Sequence, residues 1–394
     1  MALLVQKFGG TSVGSIERIE AVAERVIKAR QCGHQVVVVL SAMAGETNRL
    51  LGLAKQIDAI PTPRELDVLL AAGEQVSIAL LAMALNKRGY SATSLTADQV
   101  VIHTDSNFNN ATIHEVETQN MTTLLGQDNI VVVAGFQGRD IDGNITTLGR
   151  GGSDTTAVAI ASALNAAECQ IFTDVDGVYS TDPRLVPSAA RLDVIHFDYM
   201  TCMARLGAKV LQLQSVEYAC QHRVPLRVLS SFEEGQGTLV NFDVMSNQNI
   251  IGVALQRQQV LVNITLPATV LNEQLDLYGL TAWNLSTNSS DDISQIVISN
   301  DDLARLRLGF DSKMRHIGMV SILSLIGKDI QQHLESIQKV LQEAGITVHT
   351  YQGDKKCLSL LINEDDHLTA VDLIHEKFVV DNPCFGNLSH LAVS

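Results

Sequence analysis

The sequence predicts an α/β protein: a three-layer, doubly wound domain with a mainly parallel sheet, followed by α+β ferredoxin-like modules. Three observations carry this. Up to residue 240, short apolar runs such as VVVVL (36–40) and IVVVAGF (130–136) alternate with amphipathic helical stretches, the order that buries parallel strands between helical layers. Beyond residue 250 the rhythm changes to strand, helix, strand, strand, helix. At 394 residues, with 46% apolar and only 4% aromatic side chains, the chain can fill two or three aliphatic cores.

LLVQKF (3–8) reads as a short buried strand that stops at Gly9 and Gly10. A helix is expected over 15–31, where Ile16, Ile19, Val22, Ala23, Val26 and Ile27 share one face and Gly33 suits the stop. VVVVL is the second strand, and a strand–helix–strand order implies parallel pairing. Helices are expected at 47–58 and 64–87 and strands at 92–96 and 130–135. A helix after the glycines near 150, a strand at 169–175, a helix at 209–221 and a strand at 225–230 complete the pattern. SFEEGQGTLVNF (231–242) marks the edge, so residues 1–242 form the first domain.

Residues 311–394 read as one ferredoxin-like module: GMVSILSLI, a helix at 328–344, ITVHTY, CLSLLI, a helix at 367–378 and a C-terminal strand. Residues 250–310 read as a weaker copy, with IIGVALQ and VLVNITL as separate strands, an undefined middle, DISQIVIS and a short helix at 300–307.

A formal charge of −15 excludes general binding to nucleic acid or anionic membrane. An acidic protein that holds a polyanion must gather its cations locally, which singles out Lys7, Arg150, Arg184 and Lys209. The apolar runs are too short to span a bilayer, and MALLVQKFGG lacks the pattern of a signal peptide. Six scattered cysteines without a CxxC pair read as reduced residues, which suggests the cytoplasm.

The stretch TTLGRGGSDTTAVAIASAL (146–164) asks for more than a helix start. Ser153 or Asp154 alone would cap the helix, yet Gly149, Arg150, Gly151 and Gly152 precede them. Glycines let a ligand approach the backbone, and a helix amino end presents free N–H groups and positive partial charge. Together these describe an anion site, with a plain cap as the alternative role for Asp154. KFGGTS (7–12) matches neither GxxxxGK[ST] nor GxGxxG. It is either a strand-ending turn or, through Lys7, an ammonium at the crevice where such sheets bind ligands.

FTDVDGVYSTDPR (172–184) is a turn-rich loop that exposes Arg184 and puts Asp174 near a strand end. In LLAAGEQVS (69–77), Glu74 sits within an apolar helix, where it must be paired structurally or meet a ligand. Lys209 lies near a helix start, a place the dipole disfavours unless an anion is close or the side chain reaches solvent. His103, His114 and His196 stand alone, and no GxSxG, HRD or DFG motif occurs.

Read jointly, KFGGTS, VVVVLSAMAGETNRL, LLAAGEQVS, VAGFQG, TTLGRGGSDTTA, TDVDGVYSTDPR, GAKVL and SVEYA…VPLRV resemble the amino-acid kinase family, and within it the aspartokinases, over residues 3–240. The resemblance implies the amino-acid kinase fold and ATP-dependent phosphorylation of the side-chain carboxylate of L-aspartate, with Mg²⁺ carried by ATP. It implies Lys7 against the transferring phosphoryl group, Gly9 and Gly10 offering amide N–H groups to it, and Asp154 holding Lys7 in place. Arg150 would pair with the α-carboxylate of aspartate and Glu74 with its ammonium, while Ser41, Thr47, Gly151, Gly152 and Ser153 complete the pocket. Lys7, Phe8, Gly9, Gly10, Thr173, Asp174, Tyr179, Asp182, Arg184 and Lys209 would line the nucleotide site. A carboxylate with a pKa of about 4 is already ionised at neutral pH and needs no general base. Positioning and charge stabilisation must then supply the catalysis.

The C-terminal modules resemble the family's ACT regulatory repeats, which implies a homodimer and lysine or threonine as effector. TLPATVLNEQLDLYG (265–279) keeps Pro267 but loses the family's glycine and leaves little room for a helix. YQGDKKC (351–357) stands where the family has a Ser/Thr-rich segment, so weak feedback inhibition is expected. Two rival readings remain. One is a kinase for N-acetylglutamate or glutamate, against which Glu74 argues because an acetylated amine has no ammonium. The other is a catalytically silent amino-acid sensor, against which intact Lys7, Asp154 and Arg150 argue.

Overall fold

The computed structural model describes residues 1–208, 210–243, 250–285 and 293–381. They form two compact units. The first takes Met1–Val178, Arg191–Ala204 and Lys209–Met245; the second takes Tyr179–Ala190, Arg205–Ala208 and Ser246–Ser394.

The first unit is built on an eight-stranded sheet. Its strands are β1 (Leu3–Phe8), β2 (Gln35–Leu40), β3 (Ala92–Leu95), β4 (Ile130–Ala134), β5 (Glu168–Thr173), β6 (Val194–His196), β7 (Leu226–Ser230) and β8 (Thr238–Asn241). Their order across the sheet is β6-β8-β7-β5-β1-β2-β4-β3, parallel except where β7 meets β8. The chain winds from β1 outward through β2 and later crosses to the other side of β1 to form β5. β1 is thus the switch point of a doubly wound sheet, and its carboxyl end opens the crevice such folds use for ligands.

Helices α1 (Ile16–Gln31), α2 (Glu46–Ile57), α3 (Pro63–Lys87), α4 (Gly152–Ala163) and α5 (Leu213–His222) complete the layers. The Ser15 side chain caps α1 by accepting the Arg18 N–H, with Glu17 in its first turn and Lys28 and Arg30 in its last. Its Ile19, Val22, Ala23 and Val26 join Phe8, Val36, Val38, Leu40, Ile78, Leu81, Leu85 and Phe172 in one buried cluster. The expectation that no apolar run could span a bilayer needs a correction, since α3 is long and apolar enough to do so. Its composition has a local reason: α3 packs on α1, α2, β3 and β4, and Leu70, Ala71, Ile78, Leu81 and Leu85 are buried there. Asp67 and Glu74, also buried on it, would be costly in lipid.

The second unit carries a six-stranded sheet with helices α6 (Ala268–Leu277), α7 (Leu303–Phe310), α8 (Leu334–Glu343) and α9 (His367–His375). Its strands are β9 (Ile250–Ile264), β10 (Ala282–Asn284), β11 (Ser294–Ser299), β12 (Met314–Gly327), β13 (Val348–Gly353) and β14 (Cys357–Asn363). They lie in the order β10-β11-β9-β12-β14-β13 and pair antiparallel throughout.

Two expectations for this half are corrected. IIGVALQ and VLVNITL are one strand, not two: β9 runs through a register shift between Gln256 and Gln259, where Gln258 takes a positive φ of 56°. The first module also holds a helix, because α6 fits after Pro267 and buries Leu271 and Leu275 on one face. The strand expected at the C-terminus lies outside the described residues.

The modules also share strands. The later half of β9 pairs with β11 and with the early half of β12, and its early half pairs with the late half of β12, which in turn pairs with β14. Each module's outer strand is therefore an extension of the other's first strand. The two cores stay distinct: Val260, Val262, Ile264, Leu271, Leu275, Ile296, Ile298, Leu306 and Phe310 fill one, and Ile250, Val253, Leu323, Leu325, Ile337, Leu341, Leu360, Val371 and Ile374 fill the other. Leu271→Ala should cost about 2–4 kcal/mol of stability, read as a lower urea midpoint at unchanged slope. A loss below about 0.5 kcal/mol would mean that α6 does not belong to this core.

Candidate active site

The carboxyl ends of β1, β2 and β4 face the amino end of α4 around a cavity of about 370 Å³. Side chains alternate across β1. Phe8 goes to the α1 side, fully buried and stacked on Phe172 with ring centroids 4.5 Å apart. Lys7 goes to the α4 side, where its Nζ lies 2.5 Å from Asp154 Oδ1. Both partners are nearly buried, and both line the cavity. The Phe8 ring therefore belongs to the core, which leaves only the backbone of this residue to the expected nucleotide set. Gly9 needs a second correction. Its N–H donates to Phe172 O at 3.3 Å, extending the β1–β5 ladder by one residue, so this amide is already engaged.

The glycines shape the wall by close approach. Gly151 begins α4 with φ of 74°, and a Cβ there would lie 2.2 Å from Cγ of Gln212. A Cβ on Gly152 would lie 2.8 Å from Leu148 Cβ and 2.9 Å from the Phe136 ring. Ser153 and Asp154 follow in the first turn, so the positive end of the α4 dipole faces the cavity. Ser41, which follows β2, and Thr47, in the first turn of α2, reach the same space.

Glu74 closes another wall from α3. It is only 3% exposed, Oε1 accepts the Ala42 N–H at 3.0 Å, and the buried Oε2 has no hydrogen-bond partner among the described residues. Burial pushes its pKa up to about 7, against the smaller pull of the Ala42 amide. A buried carboxyl with one oxygen not hydrogen-bonded thus opens on the cavity, a setting in which a carboxylate would need a cation.

The cavity thus brings together Lys7, Gly9, Gly10, Ser41, Thr47, Glu74, Gly151, Gly152, Ser153 and Asp154 from the expected set. It does not include Arg150, which is exposed between Gly149 and Gly151 and makes no ion pair among the described residues. Thr173 ends β5 beside β1 and Asp174 follows it, with Thr173 Oγ1 3.1 Å from Asp174 Oδ1. Tyr179, Asp182 and Arg184 belong to the second unit, where Arg184 forks onto the Asp182 carboxylate at 2.8 and 2.9 Å. That contact holds the Asp182 carboxyl below its usual range. Lys209 lies outside the described residues.

Gly149, named with the anion loop, also lines the cavity, as do Gln212 and Phe136, which were not expected. Phe136 and Gly149 stood inside stretches already singled out. Gln212 carried no local signal, because only the fold brings the start of α5 to Gly151.

The raised pKa of Glu74 has a stability cost with a definite sign. Its folded-state pKa of about 7 exceeds the ordinary 4.5, so its contribution is full below pH 4.5 and is lost as pH rises through 7. The span corresponds to roughly 3 kcal/mol. The ligand-free protein should lose stability relative to Glu74→Gln between about pH 5 and pH 8. Urea unfolding at a series of pH values checks this, and a flat difference would contradict it.

The amino acid kinase family model matches residues 2–230. An aspartate kinase of Pseudomonas putida is 45% identical over 97% of this chain and 99% of its own length. Aspartokinase 2 of Bacillus subtilis is 39% identical over 96% of this chain and 98% of its own. Among solved structures, E. coli aspartokinase III in complex with aspartate and ADP gives a TM-score of 0.79 at 25% identity, covering 95% of this chain and 99% of that one. The same enzyme in complex with lysine and aspartate gives 0.77 at 26% identity, covering 96% and 99%. Similarity that runs nearly end to end, on a sheet whose switch-point cavity holds a paired lysine and an unpaired buried acid, has one meaning: this chain belongs to the amino acid kinase family, in its aspartokinase branch.

Proposed function

We propose that the chain catalyses the transfer of the terminal phosphoryl group of ATP to the side-chain carboxylate of L-aspartate, giving 4-phospho-L-aspartate and ADP. This is the first step towards lysine, threonine and methionine, and we place it in the cytoplasm. The observation that carries the substrate is the unpartnered buried oxygen of Glu74, which fits an α-ammonium and has no use for an acetylated amine.

The chemistry asks for little proton traffic. The attacking carboxylate is ionised at neutral pH, and the difficulty is to hold it against a triphosphate of like charge. In our reading the Lys7 ammonium, steadied by Asp154, sits at the transferring phosphoryl group and offsets charge as it spreads over the oxygens. Gly10 and the amino end of α4 supply further positive potential. Glu74 takes the ammonium, and Ser41, Thr47, Gly151, Gly152 and Ser153 shape the recess. Arg150, on the rim, takes the α-carboxylate as a bidentate pair. We assign Thr173 and Asp174, at the end of β5, to the nucleotide.

Of the two acidic side chains lining the cavity, Asp154 is committed to Lys7 and Glu74 is dry. We therefore assign Mg²⁺ to the phosphate oxygens of ATP and to water, the hard donors it prefers. Bound there, it would neutralise phosphate charge.

For regulation we propose weak inhibition by lysine and threonine. The segment 351–357 ends β13 and turns into β14 around Asp354, whose Oδ1 accepts the Lys356 and Cys357 N–H groups at 2.7 and 2.9 Å. A closed turn of this kind offers few free hydroxyls to a ligand. We also propose a homodimer through these modules.

An assay with MgATP and hydroxylamine should yield an acyl hydroxamate with L-aspartate and none with N-acetylglutamate; the reverse preference would defeat the assignment. Lys7→Gln should lower kcat by about 10²–10³-fold. It should also destabilise the protein, because Asp154 is then buried without a partner. Near-normal turnover would remove Lys7 from its role. Strong inhibition by sub-millimolar lysine in the same assay would overturn the regulatory reading.

A further inference from the structure

Asp67, in the second turn of α3, is fully buried and has no cation beside it among the described residues. Three donors meet it instead. Oδ1 accepts the Thr147 hydroxyl at 2.6 Å and Oδ2 accepts the Thr147 N–H at 2.8 Å. The Asn109 N–H is shared between the two oxygens at 3.1 and 3.0 Å. Burial pushes the Asp67 pKa up, and these donors pull it back.

The gripped residues shape the active-site wall. Thr147 ends the short strand Ile145–Thr147, two residues before Gly149 and three before Arg150. The Ala111 N–H donates to Thr147 O at 2.8 Å, and a Cβ on Gly149 would lie 2.9 Å from Asn110 Oδ1. Segment 109–111 and the start of the glycine loop therefore lie against each other, and Asp67 holds both. Glu74 follows seven residues later on the same face of α3, about 10 Å along the helix. One helix thus carries the ammonium receptor and, through Asp67, the anchor of the loop that bears Arg150.

We propose that Asp67 is a positioning residue for the amino-acid substrate: by gripping Thr147 and Asn109 it sets the span between the Gly149–Gly151 loop and Glu74, and with it the length of amino acid that is accepted. This rests on the roles proposed above for that loop and for Glu74. Replacing one oxygen by an NH₂ group leaves a single acceptor for the Thr147 and Asn109 N–H groups, forces the Thr147 hydroxyl to reverse its role, and loosens the grip on the loop.

Asp67→Asn should raise the KM for L-aspartate about ten-fold or more, move the KM for MgATP less than about two-fold, and lower the preference for L-aspartate over L-glutamate in kcat/KM. Thr147→Val removes only the hydroxyl contact and should move the same quantities in the same direction by less, with Thr147→Ser restoring them. It carries the test if Asp67→Asn does not fold. Equal rises in both KM values, or a lowered Tm with an unchanged KM for aspartate, would show a merely structural role and overturn the proposal. Glu74→Gln, measured alongside, separates the two levels. A raised aspartate KM in Glu74→Gln with none in the Asp67 and Thr147 variants overturns this inference alone. No rise in any of them overturns the amino-acid pocket as well.

Discussion

The contact between the Lys7 ammonium and the Asp154 carboxylate is the constraint on which the site depends. It joins the last turnable position of the switch-point strand to the first turn of α4, so it fixes where a helix amino end stands relative to the sheet. A nearly buried pair of this kind gives little net stability, but it is severe on any arrangement that separates its members. The glycines around it follow from that closeness. With Gln212 packed on Gly151, and Leu148 and Phe136 packed on Gly152, no side chain larger than hydrogen fits at either position.

Glu74 shows the opposite economy. Lys7 and Asp154 neutralise each other's charge, whereas Glu74 is held away from water with no cation paired to it among the described residues. Its carboxylate is unfavourable near neutral pH, and the substrate ammonium proposed above would relieve it. Asp67 on the same helix is fully satisfied. The two buried acids of α3 thus divide the work, one rigid and one receptive.

Much of this was legible in the sequence because it is local. Strand-ending glycines, the apolar alternation of β1 and β2, and a charged residue inside an apolar helix each leave a short-range mark, and they identified Lys7, Glu74 and the 149–154 loop. What escaped is what only tertiary packing decides. Phe8 stands next to Lys7 yet belongs to the core, because side chains alternate across a strand. The amide of Gly9 was offered to phosphate and is instead spent on Phe172, since β5 lies alongside. Gln212 and Asp67 gave no signal, for their partners are far away in the chain. In the C-terminal half, α6 was missed because the absent glycine after Pro267 outweighed the spacing of Leu271 and Leu275.

The crossed strands of the second unit have a consequence for how it could be divided. A cut near residue 310, where sequence rhythm invites one, would strip the early part of β12 from the flank of VLVNI and deprive β12 of residues 250–255. Each fragment would expose a bare, valine- and isoleucine-rich edge, the kind that recruits foreign chains into aggregates. A single break there therefore costs both modules their outer strand at once.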